Sequence, residues 1–126
     1  MKVKRTERGW SGHFCRGREC LFRRNTLLES DVARIVVSTV GAMDVNGDNI
    51  GYAREEIGIG RYYETMAFHV DVGDMEFSDA DVGRPIWFDS PDGIHDKYAD
   101  NEANAMHEDV VAEITKRLAE GETYEN

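Results

Sequence analysis

The stretch Ala33-Arg34-Ile35-Val36-Val37-Ser38-Thr39-Val40 constrains this fold more than any other part of the chain. Five of its eight side chains are branched at Cβ, a type that loses rotamer freedom in a helix and packs well on a pleated surface. It is therefore expected to be a strand, and its nearly continuous apolar character places it at the centre of a sheet. Ser30-Asp31 just before it reads as a turn. Cys20 to Glu29 then becomes the preceding antiparallel strand, with Leu21, Phe22, Leu27 and Leu28 around a polar centre, Arg23 to Thr26, where a bulge or break near Asn25 is expected. Trp10 to Cys15 is expected to pair with it across Arg16-Gly17-Arg18-Glu19, completing a three-stranded meander.

Later elements follow the same logic. Arg61 to Val72 alternates, with Tyr62, Glu64, Met66, Phe68, Val70 and Val72 on one face and Tyr63, Thr65, Ala67, His69 and Asp71 on the other. Val82 to Phe88 reads as a last strand, placed at an edge or a bulge by Pro85, which has no N–H to donate. Residues 100–119 read as a helix: Ala103, Met106, Val110, Val111, Ile114 and Leu118 recur at helical spacing, Asp100 is a candidate cap, and Gly121 follows. Residues 1–7 are expected to be a frayed start. Residues 41–60, with five glycines and the turn cluster Asn46-Gly47-Asp48-Asn49, are expected to form a long loop with a short helical turn at Ala53 to Glu56. The expected architecture is a single α+β domain: an antiparallel sheet of four to five strands with one C-terminal helix packed on one face.

Charge is unevenly placed. The chain has 126 residues and a formal charge of −10, divided as +5 over residues 1–30, −3 over 31–70 and −12 over 71–126. An acidic body repels phosphate backbones, so nucleic-acid binding is expected only locally, through the basic N-terminal hairpin. There Arg16, Arg18, Arg23 and Arg24 alternate with Trp10, Phe14 and Phe22, a mixture suited to single-stranded nucleic acid or an acidic protein surface. The competing expectation is that these arginines pair with the acidic body of their own chain or of a symmetry mate. No apolar run approaches the roughly 20 residues of a membrane span, and the start lacks a signal peptide's apolar core, so a cytoplasmic location with reduced thiols is expected.

Three residue groups are candidates for chemistry. His13, Cys15 and Cys20 supply three zinc-type ligands, with His69, His95 or His107 as a fourth, although their spacing matches no common paired pattern. Cys15 with His13 is also the only nucleophile–base pair that can be named, and no acid is assigned to orient it, so a non-enzymatic role is preferred. Asp44, Asn46, Asp48 and Glu55 imitate the spacing of a calcium loop, but the glycine position holds Asn49 and the flanks are not helical.

The stretches RGWSGHFCRGRECLFRRNTLLE, RIVVSTVGAM, EIGIGRYYETMAFHV and NEANAMHEDVVAEI resemble a group of small uncharacterised proteins from phages, prophages and bacterial mobile elements. The resemblance implies no catalytic residue. It implies a setting in which small accessory proteins bind and redirect host machinery, acidic ones sometimes by imitating DNA. The expected function is an acidic interaction protein that occludes a host protein or nucleoprotein through Asp74, Glu76, Asp79 and Asp81. The alternative is a zinc-stabilised module, held by His13, Cys15 and Cys20, that contacts nucleic acid through the basic hairpin.

Overall fold

The structure, a computed structural model, describes residues 1–8, 20–44, 54–55, 62–70, 80–86 and 99–124. In chain order the elements are β1 (Lys4–Glu7), β2 (Cys20–Glu29), β3 (Arg34–Asp44), β4 (Arg54–Glu55), β5 (Tyr63–Val70), β6 (Ala80–Ile86) and α1 (Asp100–Ala119). All pairings are antiparallel, in the order β1-β2-β3-β5-β6, and the two-residue β4 pairs with the far end of β3. The α+β architecture is thus the expected one, with β3 between β2 and β5 and the Pro85 strand at an edge.

Cross-strand register turns the helix-facing side of the sheet into a series of rows. Phe22, Gly41 and Tyr63 form the first, Arg24, Thr39 and Thr65 the second. Thr26, Val37, Ala67 and Ile86 form the third, and Leu28, Ile35 and His69 the fourth. The helix runs down these rows. Ala99 and Ala103 lie on the aromatic row, and Val110, Val111, Ile114 and Leu118 join Leu28, Ile35, Val37, Ala67 and Ile86 in the main core. Each buried Val, Leu or Ile contributes roughly 1.5–3 kcal/mol to holding the layers together. The opposite face is buried as well, around Leu27, Val36, Phe68 and Val70.

Gly41 makes the first row possible. The Tyr63 ring lies over it and meets Phe22 edge-on, with centroids 5.7 Å apart and planes at 82°. The Tyr63 hydroxyl then donates to the Asp100 carboxylate. Asp100 is therefore the first helical residue, held from the sheet; Ala99 occupies the cap position and no side chain caps the helix. Tyr63→Phe keeps the ring and loses this bond, and is expected to cost about 1–2 kcal/mol in urea unfolding; unchanged stability would mean that the bond contributes nothing. The other helix end closes as expected. Gly121 has φ +93° and donates to Leu118 O at 3.0 Å, and Glu122 donates to Arg117 O at 3.0 Å, a Schellman closure.

Four expectations change. The supposedly frayed start contains β1, paired with β2 from Lys4↔Glu29 to Glu7↔Thr26. β2 and β3 pair in continuous register from Phe22↔Gly41 to Glu29↔Arg34, so Asn25 marks no bulge; its side-chain oxygen accepts from Arg8 Nε at 2.8 Å. β3 continues to Asp44, and Arg54-Glu55 pairs with its end as a strand rather than a helical turn. β6 begins at Ala80, two residues before the expected Val82, and so includes Asp81. The rest of the expected 41–60 loop and the expected Trp10 to Cys15 strand lie outside the described residues.

Candidate functional site

The polar centre of β2 finds its partners on the helix. His107 lies within the apolar stripe of α1 and is fully buried. Its Nε2 is 2.7 Å from Thr26 Oγ1 and its Nδ1 is 2.7 Å from Thr39 Oγ1. Thr39 Oγ1 in turn lies 2.6 Å from Thr65 Oγ1, and Thr26 Oγ1 donates to Glu7 Oε2 at 2.6 Å.

Proton counting gives this chain a direction. Burial works against the Glu7 charge, but hydrogen bonds from Arg24 and Thr26 outweigh it and hold the carboxyl below its ordinary value of 4.5. Ionised Glu7 only accepts, so the single Thr26 proton goes to it. Thr26 must then accept from His107 Nε2–H. The neutral ring leaves Nδ1 as an acceptor, filled by the Thr39 hydroxyl, and Thr65 donates to Thr39. Burial, reinforced by the Arg24 charge, lowers the His107 pKa from 6.5 to about 4, in agreement with a neutral ring.

At the surface the chain ends in an ion network. Arg24 donates to Glu7 through Nε at 3.1 Å and Nη2 at 2.9 Å, and its Nη1 lies 2.9 Å from Glu108 Oε2. Arg5 grips Glu108 with two bonds of 2.9 and 2.6 Å. Hydrogen bonding from Arg5 pulls the Glu108 carboxyl down to about 2. This pair is nearly half exposed, so salt screens it, and its worth lies in geometry more than in energy. The assembly ties β1 and β2 to α1. Because His107 has no exposed surface and both ring nitrogens are committed, it is placed to lock the helix, not to take a proton from a bound substrate.

The residues proposed from sequence fall differently. Arg24 is consumed by Glu7 and Glu108, the internal pairing weighed against an external role, whereas Arg23 is exposed on β2. Arg16, Arg18, His13, Cys15, Asp74, Glu76, Asp79 and His95 lie outside the described residues. Cys20 opens β2 opposite Met43, and Asp81 sits in β6. His107 is withdrawn as a fourth zinc ligand by its two threonine bonds. Asp44 and Glu55 belong to the β3–β4 ladder, so the ends of the calcium-like spacing are strands. Among the described residues no group of His, Cys, Asp and Glu is arranged to hold a metal, and no helix is long and apolar enough to cross a membrane.

No family model, no curated protein and no solved structure matches the chain. Sequence reasoning missed Glu7, Thr26, Thr39, Thr65, His107 and Glu108 as one unit. The signal was a histidine one step from Met106 in an apolar stripe, facing a strand with a polar middle.

Proposed function

We propose that this chain is a non-enzymatic interaction protein that binds a basic surface on a host protein or nucleoprotein through its acidic C-terminal half, in the manner of a phage accessory protein. The observation that supports this reading is the pairing of four described arginines with glutamates. Arg5 and Arg24 are bonded to Glu108 and Glu7, Arg34 to Glu29 at 3.1 Å, and Arg117 to Glu113 at 2.8 Å. Each pair is neutral, so the excess of ten negative charges is carried by the remaining acids. Exposed Glu102 and Asp109 add to this field on the outer side of α1. A field of one sign steers an oppositely charged partner and sets the orientation of encounter, while a smaller apolar contact holds it.

The test uses a partner captured from bacterial lysate on the immobilised full chain and then purified. Its affinity is expected to fall at least about tenfold between low and moderate salt, and by a similar factor when Asp74, Glu76, Asp79 and Asp81 are changed to their amides. Affinity indifferent to both changes would remove the electrostatic mechanism.

A further inference from the structure

The sheet ends at β1, the terminal strand of the order β1-β2-β3-β5-β6. Arg8 N donates to Asn25 O at 2.7 Å, just beyond the β1–β2 ladder. Antiparallel bonding alternates along a strand, so Thr6 and Lys4 also bond to β2, whereas the N–H and C=O groups of Arg5 and Glu7 point outward. Among the described residues nothing bonds to that outer edge. We infer that the outer edge of β1, with the groove beside it, binds an extended peptide of alternating apolar and acidic side chains, added antiparallel as a further strand.

The groove selects the apolar positions. It is open, has a volume of about 430 Å³ and runs between β1 and α1 on the helix side of the sheet. Val3, Val111, Ala112 and Thr115 give it apolar walls, with Arg5, Glu108 and Lys116 around them. Val3 is partly buried and packs against the main core, so this wall is fixed in place. The helix contributes a single stripe, because residues three and four apart share one face. A strand laid along the outer edge of β1 turns every second side chain toward this groove. Main-chain bonds then supply affinity, and the groove supplies the preference for apolar side chains at alternate positions.

Charge selects the positions between them. Arg5 and Arg24 are bonded to Glu7 and Glu108, so these four ions cancel. Left over around the edge are Lys2, Lys4 and Lys116, three of the chain's four lysines, all exposed. Among the described residues none of the three is in an ion pair. Arg5 and Glu7 lie on the helix side of β1, so Lys4 lies on the other, beside the acidic side chains of the added strand. Lysine on an exposed edge discourages strand addition; opposite an acidic residue it favours it. A second copy of β1 fits worse. In the antiparallel register that bonds Arg5 to Glu7, Lys4 faces Arg8, and like charges directly opposite are destabilising. This edge is basic where the surface of the proposed function is acidic, so its occupant is a different partner and its test is independent of that reading.

The experiment titrates the ¹⁵N-labelled full chain with the acetylated, amidated peptide glutamate-valine-glutamate-valine-glutamate. Saturable amide shifts are expected at Val3, Arg5, Glu7, Ala112 and Thr115. Serine in place of the valines is expected to weaken binding at least about fivefold, and lysine in place of the glutamates at least about tenfold. In antiparallel pairing the valine N–H groups face the edge, so N-methylating both valines is expected to abolish binding, whereas N-methylating the central glutamate changes it by less than about twofold. Lys4→Glu combined with Lys116→Glu, both exposed, is expected to remove the preference for the acidic peptide over its lysine counterpart. Shifts that do not saturate, binding that survives N-methylation of the valines, or an acidic preference that survives the two lysine changes would overturn the site. Shifts along β1 that follow protein concentration without peptide would put a second copy on the edge and overturn it as well.

Discussion

Lowering the pH from 7 to 4 is expected to cost this fold about 3 kcal/mol through His107 alone. In the unfolded chain the imidazole takes up a proton near its ordinary 6.5, whereas in the folded protein it does so only near 4. Between those values the unfolded state binds more protons, so stability falls as pH falls through the window and is unaffected by this group above it. At roughly 1.4 kcal/mol for each pH unit of the gap, the loss is complete near pH 4. The bonding explains why the ring resists. A second ring proton on Nδ1 would meet the Thr39 hydroxyl, which already points its hydrogen at that nitrogen and would have to turn toward Thr65. Urea unfolding at several pH values measures the slope, and His107→Leu, which cannot titrate, should flatten it between 6.5 and 4. Carboxylates act lower. Glu108, depressed from 4.5 to about 2, contributes stability that is present above 4.5 and lost as pH falls toward 2. The two effects are therefore separable on one acid titration. A stability curve equally steep in the leucine variant would place the acid sensitivity elsewhere.

Gly41→Ala is expected to cost about 3 kcal/mol, the upper end of overpacking costs. The new Cβ would sit 2.7 Å from Tyr63 Cγ and 2.8 Å from the Tyr62 carbonyl oxygen. One obstacle is backbone. The other is a fully buried ring held by Phe22 on one side and by the bond to Asp100 on the other. The ring cannot yield without disturbing the bond that holds the start of α1 to the sheet. Thermal or urea unfolding reads the loss directly; a change below about 1 kcal/mol would show that Tyr63 swings aside freely and that the aromatic row is not a fixed support of the helix.

Parts of this structure were legible because one local pattern decided them. The helix over 100–119 follows from its apolar stripe, and β3 follows from its β-branched run; neither needs knowledge of a partner. β1 was hidden for the opposite reason. Lys4-Arg5-Thr6-Glu7 has no apolar face, and it becomes a strand because Arg5 and Glu7 face the helix side, where Arg24, Thr26 and Glu108 receive them. Likewise a polar middle in β2 suggested an interruption, when its Arg24 and Thr26 are the strand's contribution to a polar cluster under α1. Thr26, Thr39, Thr65 and His107 come from four elements, and only register brings them together. Composition along one strand does not encode that register. His107 alone carried a legible mark, since a histidine inside an apolar helical stripe needs hydrogen-bond partners on the facing layer.

His107 is a neutral, directed link that locks α1 to the sheet, with both ring nitrogens bonded to threonines. Long-range ¹H–¹⁵N spectra of the histidine rings, followed from pH 7 down to pH 4, test it most directly. The lock predicts a His107 ring protonated on Nε2 alone, with Nδ1 as acceptor, unchanged until the pH approaches about 4. A His107 ring that titrates near 6.5, or that carries its proton on Nδ1, would contradict it.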